Sequence, residues 1–203
     1  MKLIPPGIDS EDNFILLRKK LDPEGTLSPQ EWDGFAKIWQ TVCVNKKQII
    51  TVPGTKEKYL YFVLEGVQRV YSITNSNKES TLIFTYGSSF GGVLDSFLLQ
   101  RPSSYFYETL TPSTFLRAPF SSFEATTKIS SKINRLIQLQ VYEALSGLLS
   151  RISELQILSS TEKFKTLLKR SPHLLQLVPH KYIASYLGID ATNFSKLINK
   201  IVI

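Results

Sequence analysis

The sequence predicts an α+β protein in three parts: a β-barrel or double-sheet jelly roll, one long helix, and a terminal helix-turn-helix. Three observations carry this. Short runs rich in β-branched and aromatic residues crowd positions 48–118, an apolar stripe at helical spacing runs from Ile129 to Leu155, and two short helical patterns meet at Gly188. The corresponding divisions are residues 1–125, 126–157 and 158–203.

The chain opens in helical style. Phe14, Leu16, Leu17, Trp32, Phe35, Ile38 and Trp39 follow a broken 3.6-residue period. Strand patterns then take over at Gln48 to Val52, Tyr59 to Leu64, Val67 to Ile73, Ser80 to Tyr86, Tyr105 to Leu110 and Thr114 to Ala118. Between them Pro53-Gly54, Glu65-Gly66, Thr74 to Asn77 and Gly87 to Ser89 supply turn chemistry. Many short, closely spaced strands of this kind close into a barrel or jelly roll.

From about Pro119 the period is helical again. Ile129, Ile133, Ile137, Val141, Leu145, Leu148, Ile152 and Leu155 recur at steps of three and four, with Lys132, Gln138, Glu143 and Arg151 off the stripe. A helix of roughly 30 residues would be about 45 Å long, more than one small domain needs. Such a stripe either packs on its own barrel or pairs with a copy of itself across a two-fold axis. The second arrangement makes Ile133, Ile137, Val141, Leu145, Leu148 and Ile152 the expected dimer contacts.

Residues 180–199 give the most specific signal. Ala184 stands where two crossing helices approach most closely, and Gly188 can take the left-handed conformation that ends the first helix. Asp190 can cap the second helix through the amide of Asn193. Ile183, Leu187, Ile189, Phe194 and Leu197 supply the apolar side, and Ala191, Thr192, Ser195, Lys196 and Asn199 the opposite one. A surface helical hairpin could share this pattern; a DNA-reading helix-turn-helix requires it.

Charge favours the DNA-reading alternative. The net charge is +7, and its distribution places all of the excess in the last third. From Lys128 onward there are eleven basic and four acidic residues, whereas the first 127 residues carry thirteen of each. A neutral part joined to a cationic one is the electrostatic footprint of a polyanion binder. Double-stranded DNA is therefore the expected partner.

Composition excludes several other classes. No run approaches the roughly 20 apolar residues needed to span a bilayer, so no membrane partner is expected. The N-terminus lacks the apolar stretch of a secretory signal. A single cysteine, Cys43, can form no internal disulfide and cannot alone hold an iron-sulfur cluster. These points favour the cytoplasm. Both histidines, His173 and His180, are C-terminal, and no phosphate loop, zinc motif or Ser-His-Asp set can be assembled. The sequence therefore predicts no catalytic residues, no metal site and no enzyme.

Barrel, long helix and helix-turn-helix, in that order, characterise one bacterial family. The stretches Tyr-Leu-Tyr-Phe-Val-Leu-Glu-Gly-Val-Gln-Arg-Val-Tyr (59–71) and Gly-Ser-Ser-Phe-Gly-Gly (87–92) resemble the barrel of the Crp/Fnr regulators, and 178–201 is similar to their DNA-binding motif. The resemblance covers the chain from about Leu27. It implies a cyclic-nucleotide-binding-like jelly roll, a dimerisation helix and a winged-helix-like reading domain. It implies a homodimeric transcription regulator, with RNA polymerase as a further partner. Carried over position by position, it assigns base reading to Ala191, Thr192 and Lys196. Asn193, Ser195, Asn199 and Lys200 would add phosphate or base contacts, while His180 and Lys181 would approach the backbone.

The effector site departs from that family. Its cyclic-nucleotide binders hold the ribose with a glutamate after the second glycine and the phosphate with an arginine ten residues later. Here those places hold Val93 and Ser103. Gly91, Gly92, Val93, Ser103 and Ser104, with Arg101 if it turns inward, are the remaining candidates for contacting an effector. A buried anion would lack its charged partner, so cyclic AMP is not expected and no cofactor is assigned. Cys43 offers at most a haem ligand or redox thiol, against the simpler reading of an inert cysteine. The chain ends at Ile203, directly after the recognition helix, which is expected to reflect a short or trimmed tail. The rival reading is a small-molecule sensor that controls a protein partner without binding DNA.

Overall fold

The computed structural model describes residues 2–3 and 11–201. The opening segment, read above for a secretory signal, lies almost wholly outside that range, as does the tail at 202–203.

The described elements run in the order β1 (Lys2–Leu3), α1 (Glu11–Leu21), α2 (Pro29–Ala36), β2 (Gln40–Val44), β3 (Ile49–Thr51), β4 (Tyr59–Glu65), β5 (Val67–Ile73), β6 (Glu79–Tyr86), β7 (Ser89–Gly91), α3 (Leu94–Leu99), β8 (Phe106–Thr109), β9 (Ser113–Pro119), α4 (Phe120–Ile129), α5 (Ser131–Ile157), α6 (Ser160–Arg170), α7 (Leu174–Leu177), α8 (His180–Leu187) and α9 (Ala191–Ile201). The strands form two antiparallel sheets, β1-β2-β9-β4-β7 and β3-β8-β5-β6, facing each other as a jelly roll. The six strand stretches read from the sequence all appear, and Val67–Ile73 does so with identical bounds. Three further strands were not foreseen. Gln40–Val44 pairs with Ser113–Pro119 along its whole length, a partnership with distant chain that local pattern cannot reveal. The other two, Lys2–Leu3 and Ser89–Gly91, are too short to show a period.

Between the sheets Val42, Val44, Tyr61, Val63, Val70, Val93, Tyr107 and Phe115 fill the barrel. Gly91 is glycine because of close approach: a side chain there would begin 2.4 Å from the Tyr107 hydroxyl. A second cluster joins the N-terminal helices to the barrel and to the first turns of α5, through Leu17, Phe35, Trp39, Phe62, Phe97, Phe123, Ile133 and Ile137. Ser28 anchors α2 with a capping box, its hydroxyl taking the Glu31 amide while the Glu31 carboxylate takes the Ser28 amide.

The helical stretch after the barrel is broken once. Ser130 is extended, ends α4 and caps α5 by accepting from the Ile133 amide. The 27-residue α5 then runs without interruption. No helix among the described residues is long and apolar enough to cross a membrane.

The C-terminal helices do not stand apart from the barrel. Their core, Phe164, Leu167, Leu174, Val178, Ile183, Ala184, Leu187, Ile189 and Phe194, is one cluster with Val67, Phe84 and Leu110 of the barrel. Residues 158–201 contribute four helices and no strand.

Candidate functional site

The hairpin of α8 and α9 is built as the residue pattern requires. Gly188 adopts a φ of +64° and returns its amide to the carbonyls of Ala184 and Ser185, ending α8. Ile189 also donates to the Ala184 carbonyl, 3.0 Å. Asp190 Oδ1 accepts from the Asn193 amide at 2.9 Å and caps α9. Ala184 is buried at the crossing of the two helices, and Phe194 is buried edge-on to Phe164 with ring centroids 5.2 Å apart. Full burial of a phenylalanine of this kind stabilises by roughly 2–3 kcal/mol.

The opposite face of α9 meets solvent. Ala191, Thr192, Asn193, Ser195, Lys196, Asn199 and Lys200 are all exposed, as are His180 and Lys181 at the start of α8. Together they form a surface of hydroxyls, amides and ammonium groups without a carboxylate of its own except the capping Asp190. Ser195 is turned back on its helix, its hydroxyl donating to the Ala191 carbonyl at 3.0 Å.

Sequence reasoning missed how this hairpin is held. Helix α8 lies on β6. The Thr81 amide donates to Ser185 Oγ at 3.0 Å, and the ring of Tyr186 packs on Phe84 at 5.0 Å. Below α8, Arg69 is 1% exposed and forms ion pairs with Glu79 and Glu108, each 2.8 Å. Its guanidinium is sandwiched by Tyr71 and Tyr182. Alternation along β5 could place Arg69 on one face of a strand, but its partner from α8 is 113 residues away.

The segment between β7 and β8, which carries the effector-site candidates, folds in on itself. Val93 is buried in the barrel core and Ser103 is buried in a turn, its hydroxyl exchanging hydrogen bonds with the backbone of Tyr105 at 2.7 and 2.9 Å. Arg101 and Ser104 are exposed. The inward turn allowed for Arg101 is therefore not made, although its carbonyl accepts from the Ser96 hydroxyl at 2.6 Å. An arginine beside Pro102 in a turn reaches water more cheaply than a hydrophobic interior.

The charged group at this junction is Glu57, which is 3% exposed. Its carboxylate accepts from the Thr51 hydroxyl, from the amides of Lys58 at 3.0 Å and Tyr59 at 3.3 Å, and makes a longer contact of 3.4 Å with the Val93 amide. Its own amide donates to Ser96 Oγ at 3.0 Å. Burial pushes the Glu57 carboxyl up from its usual range, against the pull of these donors. The Glu57 carboxyl group thus takes the amide at the start of α3, beside Gly91 and Gly92. Glu57 lies between Lys56 and Lys58, and nothing in that local sequence signals burial.

Helix α5 divides its stripe. Ile133 is 2% and Ile137 8% exposed, and both belong to the protomer's own core. They are thereby corrected from dimer contacts to intramolecular ones, because the first turns of α5 lie against α1 and the barrel. Val141, Leu145, Leu148 and Ile152 are exposed, joined by Tyr142 and Leu149. They form an extended exposed apolar face on α5.

Comparison with known proteins agrees with this architecture. No protein-family model and no curated protein sequence matches the chain. Solved structures do. FixK2 from Bradyrhizobium japonicum superposes with a TM-score of 0.70 at 15% identity, over 81% of this chain and 85% of that one. A transcriptional regulator assigned to the Crp/Fnr family from Eubacterium rectale gives 0.68 at 16%, over 87% and 84%. The c-di-GMP-responsive global regulator CLP of Xanthomonas campestris gives 0.64 at 15%, over 86% and 92%. The fold is that of the Crp/Fnr regulators: a cyclic-nucleotide-binding-like jelly roll, a long helix and a helix-turn-helix.

Proposed function

We propose that this chain is a homodimeric, sequence-specific DNA-binding transcription regulator working in the cytoplasm, whose barrel does not read cyclic nucleotides. The observation that carries this is the α8–α9 hairpin itself. It is capped, close-packed and fixed to the barrel on one side, with Thr192, Lys196 and their neighbours exposed on the other. Such a helix fits the major groove, about 12 Å wide, and can reach base edges from its first turns. The surplus of positive charge after residue 128 supports attraction to the backbone.

Two protomers joined along Val141, Leu145, Leu149 and Ile152 would present two such helices to half-sites about one turn, roughly 34 Å, apart. RNA polymerase is the further partner through which such a regulator would act. The absence of the family's arginine, whose place Ser103 takes, opposes an anionic phosphate there.

Selection of bound duplexes from a random pool tests the reading. The expected result is a two-fold-symmetric sequence enriched over background, with binding that weakens steeply as salt rises. A pool that stays random at low salt overturns it, and would favour a sensor acting on a protein partner.

A further inference from the structure

A cavity of about 680 Å³ lies between the barrel and the second half of α5, bordered by β5, β6, the start of α3 and Tyr186 of α8. Its walls are mostly carbon, including Val70, Phe84, Val93, Leu148 and Leu155. That volume falls within the range of small-molecule sites, about 300–1,000 Å³.

One cation enters this lining. Arg151 is 8% exposed. Its guanidinium stacks over the Tyr186 ring at 3.9 Å, donates to the Tyr186 carbonyl, and pairs with Glu154 at 3.3 Å. Glu154 is shared with Arg170 at 3.0 Å, so two arginines draw on one carboxylate. Arg151 Nε is buried with no hydrogen-bond partner among the described residues. The other charged residue lining the cavity, Asp95, is exposed to water. A buried donor left unsatisfied beside surplus positive charge asks for an anionic acceptor.

We propose that this cavity binds a small apolar acid, its hydrocarbon or ring body against the aliphatic walls and its carboxylate on Arg151. The chemistry matches one buried cation in an apolar chamber, which satisfies a single acidic group and little other polarity. A nucleotide would bring many polar atoms with few partners. This rests on the regulator reading proposed above and deepens it by naming an effector class. The same residues reach the reading head: Arg151 holds the Tyr186 carbonyl, and Leu155 Cδ2 lies 3.6 Å from where a side chain at Gly188 would begin. An acid on Arg151 therefore bears on the position of α8.

Helical spacing sets this site beside the dimer seam, with Ile152 common to both. Ala144, Gly147, Arg151 and Leu155 fall on one side of α5 and Leu145 and Leu149 on the neighbouring one, while Leu148, Val141 and Ile152 lie between them, Leu148 and Ile152 lining the cavity as well. A second copy would flank the chamber without filling it.

Titration calorimetry on the full chain, with sodium decanoate, decan-1-ol and cyclic AMP as probes, tests the proposal. Decanoate is expected to bind once per protomer, about tenfold or more tighter than the alcohol, as a charge-assisted hydrogen bond implies. Cyclic AMP is expected to give no heat of binding. Arg151→Gln should bring decanoate down to the affinity of decan-1-ol and leave the alcohol unchanged. Should that variant fail to fold, Gly147→Phe serves. Nothing lies within 4 Å of the position of its added Cβ, so the ring should occupy the chamber and abolish both ligands while circular dichroism stays the same.

Equal affinity for acid and alcohol would overturn the role of Arg151. No decanoate binding at millimolar concentration, from a chain that sediments as a dimer, would mean that the second copy fills the chamber and would overturn the site. Because no DNA is present, decanoate binding by a chain that selects no duplex would sink the regulator reading alone. Duplex selection without decanoate binding would sink only the acid site.

Discussion

The guanidinium of Arg69 lies 3.7 Å from the ring centroid of Tyr182, and so ties the middle of a barrel strand to the first helix of the α8–α9 hairpin. Tyr71 closes the other face at 3.8 Å, and Glu79 and Glu108 hold the edges. A cation removed from water in this way gains from a ring more than an exposed one does, about 2 kcal/mol. Tyr182→Leu is expected to lower unfolding free energy by about that amount. Arg69→Met, which leaves Glu108 without its partner, is expected to lower it by about 3–5 kcal/mol. Urea unfolding measures both, and an Arg69→Met chain as stable as the parent would disprove the clamp.

Glu57 sets a pH dependence. Burial raises its carboxyl above the ordinary 4.5 in the folded chain, so the folded state holds the proton more tightly than the unfolded one. Its contribution is therefore most favourable below pH 4.5 and declines as pH rises from there through the raised folded value. In Glu57→Gln this decline should vanish, and the difference in melting temperature between variant and parent should move in the variant's favour as pH climbs from 4.5 through the raised folded value. Parallel curves over that interval would show that Glu57 does not titrate there.

The two exposed lysines of the hairpin should behave differently. Lys196, on the exposed face of α9, is expected to contribute to selectivity, so Lys196→Ala should lose about 1–3 kcal/mol against the preferred duplex and little against a scrambled one. Lys181, at the start of α8, is expected to meet phosphate. Lys181→Ala should weaken both duplexes alike and reduce the salt slope by about one. Fluorescence anisotropy at several salt concentrations separates the two patterns, and an exchange of roles would refute the assigned docking.

Leu145 and Leu149 are 55% and 60% exposed on α5, so replacing them should leave the protomer's core intact. Leu145→Glu together with Leu149→Glu is expected to give a monomer by sedimentation, with unchanged circular dichroism and duplex affinity lowered about tenfold or more, since one half-site is lost. A double variant that still sediments as a dimer would move the interface elsewhere.

Local pattern was enough for the hairpin and most of the barrel. Gly188 and Asp190 act within a few residues of themselves, and the alternation in Val67–Ile73 is long enough to define a strand. The reading failed where a residue's environment is made by distant chain. Trp39 and its neighbours look like the end of a helical opening, and only the register with Ser113–Pro119 makes Gln40–Val44 a strand. Periodicity puts Ile133 and Leu145 on one stripe. Where the barrel ends along α5 decides that the first is internal and the second external. Arg69, Glu57 and Arg151 carry charges that composition assigns to solvent, and tertiary packing buries all three.

The C-terminal helices share their core with one face of the barrel, with Val67, Phe84 and Leu110 packed among the side chains of those helices. Modular exchange is thereby barred: transplanting residues 158–203 onto a foreign sensor would strand these rings and aliphatics in water and leave the graft without its floor. Any successful chimera would have to carry the outer surface of β6 along with the hairpin.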